Sequence, residues 1–194
     1  MDDIEIQELS MYREFTNTPN RRHNFYCYCS HLYCQEMAIF FTLVEDFRRD
    51  RRKRQAVFLT EWFVKGNIPK DLKDEGFLTE INISSKQVKE YGARAEGAVN
   101  AVGRTFIDKA KNHGGGVKGL LDALKQKKSG NTQISGEIFD DMQIYVIGML
   151  NENRAADFKL DHDYMPNGKY AGKIAKLRMA LKDAGFDPNG LGIY

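Results

Sequence analysis

Long apolar runs are missing from this chain. No stretch approaches the roughly 18 uninterrupted apolar residues of a membrane-spanning helix, so a spanning protein is not expected. Proline is scarce, with four in 194 residues, which argues against collagen-like or polyproline segments and leaves room for unbroken helices. Cysteine is scarcer still and clustered: Cys27, Cys29 and Cys34. An odd and local set is a poor disulfide framework for a secreted domain, so reduced thiols are expected. Nor does one sign of charge dominate, since the net charge of +2 singles out no partner class. The start, Met1-Asp2-Asp3-Ile4-Glu5, is acidic where a secretory signal would be basic. These observations point to a cytoplasmic location, and a single core is the expectation at this length.

Helical periodicity dominates what is present, and strand alternation is nearly lacking. Over 32–47 the apolar residues Met37, Ala38, Ile39, Phe40, Phe41, Leu43, Val44 and Phe47 surround almost the whole cylinder, which predicts a helix buried in a bundle. A second helix is predicted over 53–65, stopped by Gly66 and Pro69. Ser84 with Gln87 three residues later is a capping-box signal, and Val88, Tyr91, Ala95, Ala98, Val102 and Phe106 then repeat at helical steps. Residues 109–135, with Gly114-Gly115-Gly116, a short helix-like Val117 to Leu124 and a lysine-rich run, read as an exposed insertion. Ser135 is a candidate cap for a helix bearing Ile138, Met142, Tyr145, Val146, Met149 and Leu150, and a weaker helix is expected from Asn153. A last helix carries Tyr170, Ile174, Leu177 and Leu181 and closes at Gly185. The fold class expected is all-α, an antiparallel bundle of six to nine helices, with Phe40, Phe41, Val44, Phe63, Phe139 and Met142 in its core.

Candidate chemistry is sparse. His23, Cys27, His31 and Cys34, spaced by four, four and three, would share one helix face. A metal site is disfavoured there: ligands strung over about 16 Å of one helix cannot all close to the roughly 2 Å that zinc requires. Gly114-Gly115-Gly116 lacks the spacing of a phosphate loop, and Glu45-Asp46, adjacent in a helix, point about 100° apart. No catalytic residue, metal or cofactor is expected.

One run does resemble a known family: Phe25, Cys29, Tyr33-Cys34-Gln35-Glu36, Phe40-Phe41 and Val44-Glu45-Asp46-Phe47-Arg48 are similar to the long central helix of regulator-of-G-protein-signalling (RGS) domains. Arg54-Gln55-Ala56, Trp62-Phe63-Val64, Gly66 and Glu80-Ile81-Asn82-Ile83 continue the likeness, as do Phe139-Asp140-Asp141-Met142-Gln143, Met149 and Phe158. The resemblance covers about 22–165, leaving 1–21 as an N-terminal segment and 166–194 as a C-terminal helix and tail. It implies a partner, the α subunit of a heterotrimeric G protein, and a mechanism in which the domain lends no catalytic group but holds the switch segments in their hydrolysis-ready form. By the same resemblance the contact residues fall on Glu36, Met37, Asn82, Arg94, Asn153 and Asp157. Met37 replaces the family's asparagine, Arg94 lies where another asparagine is usual by ungapped counting, with Asn100 there only if the helix is shifted, and Asn153 and Asp157 replace an aspartate and an arginine. A scaffold with the same fold and a non-G-protein partner therefore stands as the alternative reading.

The basic run Arg48, Arg49, Arg51, Arg52, Lys53 and Arg54 suggests weak attraction to anionic lipid at the inner face of the plasma membrane. Its competitor is a solvated loop partly paired with the acidic residues of 2–14. Nucleic-acid binding through this run and the lysines near Lys125 is the least favoured reading, and no nucleic-acid partner is expected.

Overall fold

The computed structural model describes residues 3–73, 77–112, 134–165 and 171–194. Their regular structure is helical, with no strand among the described residues. The α-helices are α1 (Asp3–Phe15), α2 (Pro19–His31), α3 (Gln35–Asp50), α4 (Lys53–Leu59), α5 (Lys70–Lys73), α6 (Ser85–Asn112), α7 (Asp140–Glu152) and α8 (Ala171–Ala184). The predicted insertion is thus shortened at its start, because α6 runs through 109–112; the triple glycine and the short helix after it lie outside the described residues.

The centre of the bundle is α3. Phe40, Phe41, Leu43, Val44 and Phe47 on it are all fully buried, as an all-round apolar helix must be. Phe63, Phe139 and Met142 are buried around them, so every expected core position lies in one cluster. Leu9, Tyr12 and Phe15 from α1 and Leu177 and Leu181 from α8 belong to that same cluster. The order of residue pairs fixes the direction of α7. Arg48 bonds Asp140 and Glu45 bonds Gln143, while Gln143 also reaches the Phe41 carbonyl at 3.3 Å. The α7 helix therefore runs antiparallel to α3, and its end lies beside the start of α3.

Helix starts follow the expected chemistry at two places. Thr18 accepts a hydrogen bond from the Arg21 N–H and Pro19 takes the first helical position of α2. At α6, Ser84 Oγ accepts from the Gln87 N–H at 3.3 Å and Gln87 Oε1 accepts from the Ser84 N–H at 3.0 Å, a reciprocal capping box.

Four boundaries differ from expectation. The helix predicted over 32–47 begins at Gln35, and the RGS-like run that starts at Phe25 spans two helices instead of one. Tyr33 is the cause: it takes a left-handed φ of 56°, and the Cys34 N–H reaches back to the Cys29 carbonyl at 3.0 Å, closing α2. The helix predicted over 53–65 ends in a π-helical turn, Thr60–Val64, in which the Lys65 N–H bonds the Thr60 carbonyl. Ser135 caps only a turn, accepting from the Glu137 N–H, and the helix proper starts at Asp140. After Asn153 there is a single 3-10 turn, Ala155–Asp157, and no further α-helix. Asn153 Nδ2 bonds the Met149 carbonyl and Arg154 turns left-handed at φ 62°, which together end α7.

Candidate functional site

Parts of the chain remote in sequence meet at the end of the bundle where α3 begins. Gln35 Nε2 donates to the Phe77 carbonyl, and the next side chain, Glu36, accepts from the Thr79 hydroxyl. The first turn of α3 thereby holds the irregular segment 77–84. Asn82 on that segment is exposed, and its carbonyl accepts a long hydrogen bond from Tyr145 on α7 at 3.5 Å. The end of α7 is anchored from the far side: Tyr12 Oη donates to Asn151 Oδ1 at 2.7 Å and Tyr28 Oη to the Arg154 carbonyl at 3.1 Å.

Of the residues that the family resemblance assigned to a partner contact, Asn82 and Asp157 are exposed at this end and Asn153 is half-buried. Asp157 is already paired with Arg154, at 2.8 Å. Glu36 and Met37 are each only 7% exposed, so neither side chain is offered to a partner in this conformation. Arg94 is elsewhere. It pairs with Asp141 at 2.5 Å in the first turn of α7, about 18 Å along that helix from Asn153 at 1.5 Å per residue. Tyr33 is an 82% exposed aromatic at the junction of α2 and α3. Its exposure follows from the left-handed backbone, which no glycine or asparagine announces.

Electrostatics single out Glu36. Burial pushes its carboxyl up from 4.5 to about 7, while its own helix N–H and the Thr79 hydroxyl pull it back. The folded protein therefore keeps a proton that the unfolded chain releases between pH 4.5 and about 7. The group stabilises the fold fully below 4.5, and that contribution is lost as pH rises through about 7. The shift corresponds to about 3 kcal/mol. Glu36→Gln, neutral at every pH, should shrink the difference in urea midpoint between about pH 5 and about pH 8. An unchanged difference would assign the titration to another group.

The basic run is mostly committed within the bundle. Arg48 pairs with Glu45 and with Asp140 at 2.6 Å, Arg49 with Asp46, and Arg52 with Asp50 at 3.5 Å. Arg51 Nε donates to the Arg48 carbonyl, and the Arg54 guanidinium packs over Gly185. The acids that neutralise the run lie in α3 and α7, whereas the sequence reading had looked to residues 2–14.

His23, Cys27, His31 and Cys34 do not converge on one point. His23 meets Cys27, with Nε2 at 3.6 Å from Sγ, whereas His31 faces the Met165 carbonyl and Cys34 is hydrogen-bonded to Cys29. Among the described residues no group of three His, Cys, Asp or Glu side chains could hold a metal ion, and no helix is long and apolar enough to cross a membrane. Comparison with protein-family models, curated proteins and solved structures gives no match.

Proposed function

We propose that this chain is a protein-binding domain of the RGS kind, which grips a G-protein α subunit and accelerates its GTP hydrolysis without contributing a catalytic group. One observation supports the reading most: the segment 77–84, which closes the second block resembling the family, is held across the start of α3 by Gln35 and Glu36 and meets α7, in the third block, through Tyr145. The face we propose takes in this junction and the end of α7, where Asn82 and Asp157 are exposed and Asn153 is half-buried. Such a face can act by holding the switch segments of a nucleotide-binding partner in one geometry, which lowers the barrier by preferential binding to the transition-state shape.

Single-turnover GTP hydrolysis by a panel of Gα subunits tests this directly. Acceleration of at least one of them is expected, together with binding to its aluminium-fluoride state, and Asn82→Lys should weaken both. No acceleration and no binding across the panel would overturn the proposal.

A second reading is favoured by the burial of Met37 and by the distance between Arg94 and Asn153, which lie toward opposite ends of α7. Under it, the same bundle serves as a scaffold for a partner that is not a G protein, because the usual contact set is thinned and partly reversed in charge. Binding to Gα that ignores its nucleotide state would favour this alternative. Any weak attraction to anionic lipid, and with it a peripheral place at the membrane, rests on Arg51, Lys53 and Arg54. These are the members of the run with no carboxylate partner among the described residues.

A further inference from the structure

A cavity of about 60 Å³ lies between α2, the start of α3, α8 and the C-terminal residues, with Gln35 and Phe77 separating it from the face proposed above. Its walls are largely apolar, with Ile39, Phe77, Leu177 and Ile193 among them. His23, Tyr26, Cys27 and Ser30 of α2 line it too, and the Ser30 hydroxyl is taken up by the Cys27 carbonyl at 2.7 Å. The Tyr26 hydroxyl is buried, with the Thr42 hydroxyl as its polar neighbour.

His23 and Cys27 are one helical turn apart, and the C-terminal segment orients the pair. His23 Nδ1 lies 3.0 Å from the Gly192 carbonyl. A carbonyl oxygen only accepts, so Nδ1 carries the proton and Nε2 presents its lone pair. That lone pair faces Cys27 Sγ at 3.6 Å. The carbonyl reaches the ring because residue 192 is glycine: its φ is +72°, and a Cβ there would sit 2.8 Å from the His23 backbone nitrogen and closer still to the Pro19 carbonyl. Tyr194 closes the far side, its ring centroid 5.0 Å from that of His23. Thiol, base and orienting acceptor are thus in the order that an activated nucleophile requires.

We propose that Cys27 is a covalent modification site for small, uncharged α,β-unsaturated carbonyl compounds, which bind in this cavity and are attacked by the thiol with His23 as general base. In the step, the sulfur forms a bond to the β-carbon and the carbon–carbon π pair shifts to give the enolate. The proton leaves Sγ for His23 Nε2 and is then delivered to the α-carbon. Nothing is oxidised or reduced, and nothing leaves. During transfer the imidazolium keeps its Nδ1–H on the Gly192 carbonyl, which supports the positive charge. Burial pushes the Cys27 thiol up to about 11, so a standing thiolate is scarce at neutral pH and the proton must depart as the bond forms. The apolar walls favour an uncharged electrophile over an anionic one. Cys29 and Cys34, equally buried but away from the cavity and hydrogen-bonded to each other, lack a base.

The test uses N-ethylmaleimide as the uncharged Michael acceptor and iodoacetate as the charged comparator on the native protein, followed by intact mass and fragment-ion mapping. A single maleimide adduct on Cys27 is expected before Cys29 or Cys34 reacts, with iodoacetate much slower relative to its rate on a free thiol. His23→Gln, whose amide can still donate to the Gly192 carbonyl, should slow the maleimide reaction by at least about tenfold, at the low end for loss of a general base. In the wild-type protein the rate should level off well below the pH at which the thiol itself ionises, a readout that needs no variant. Labelling spread over the three cysteines, labelling only after denaturation, an unaltered rate in His23→Gln, or a rate that simply follows thiol ionisation would each overturn the proposal. None of these outcomes bears on the G-protein reading.

Discussion

Phe41→Ala should lower the stability of the bundle by about 3–5 kcal/mol, the range for deleting a fully buried aromatic ring. The residue has no solvent exposure and lies on α3, the helix that the others enclose. Its ring meets Tyr12 at a centroid distance of 5.9 Å, so the loss is felt in α1 as well as at the site itself. Tyr12 is in turn the donor to Asn151, which makes Phe41 an indirect support of the end of α7. At this chain length the expected fall in melting temperature is about 2–4 °C for each kcal/mol. Urea unfolding followed by far-ultraviolet circular dichroism measures it, and the denaturant slope should be unchanged. A loss below about 1 kcal/mol would place Phe41 outside the core, since surface substitutions commonly stay within about 0.5 kcal/mol.

That prediction can be made from sequence because α3 advertises itself: Phe40, Phe41, Leu43, Val44 and Phe47 leave no polar stripe wide enough for solvent. The capping box at Ser84 and the glycine at 185 were legible for a similar reason, since each is local chemistry that acts within a few residues. The two N-terminal helices were less visible. The buried side of α2 is made from Arg22, Phe25, Tyr26, Cys27, Cys29 and Ser30, a mixture whose polar members hide its periodicity. Thr18-Pro19 was an available start signal. The break at Tyr33 and the turn at Arg154 had none, because each left-handed residue is of a type that seldom occupies that conformation.

The candidate face was legible in part for a different reason. The exposure of Asn82 and Asp157 could be expected because it is the ordinary state of such residues. Glu36 could not be read as buried, since an acid in the first turn of a helix is usually solvated and favoured by the helix dipole. Its burial depends on Phe77 and Thr79 being drawn across the start of α3, a tertiary event involving a segment some forty residues away. The basic run failed in the same way. Its charges look unopposed along the chain, and the opposing carboxylate of Asp140 arrives only when α7 docks antiparallel on α3.

Arg22 illustrates how far such a tertiary link can carry. Its Nε donates to the Thr16 carbonyl at 2.7 Å, and its Nη1 donates both to Asp46 at 3.2 Å and to the Gly190 carbonyl at 2.8 Å. One side chain thus joins the turn after α1, the middle of the bundle and the C-terminal segment. Asp46 is itself buried: desolvation pushes its carboxyl upward, and Arg22 and Arg49 beside it pull the other way. Arg22→Leu should cost about 3 kcal/mol at neutral pH, because an ion pair broken from one side leaves a poorly compensated charge in the interior. The cost should fall as the pH is lowered, since without Arg22 the Asp46 carboxyl takes up a proton more readily in the folded state and the stranded charge is neutralised. Arg22→Leu combined with Asp46→Leu should recover part of the loss, the part due to the charge, and not the part due to the unpaired carbonyls of Thr16 and Gly190. Urea unfolding of the three proteins at two pH values resolves these contributions. A single variant within about 0.5 kcal/mol of wild type at neutral pH would show that the pair is solvated and that Arg22 does not fasten the C-terminal segment.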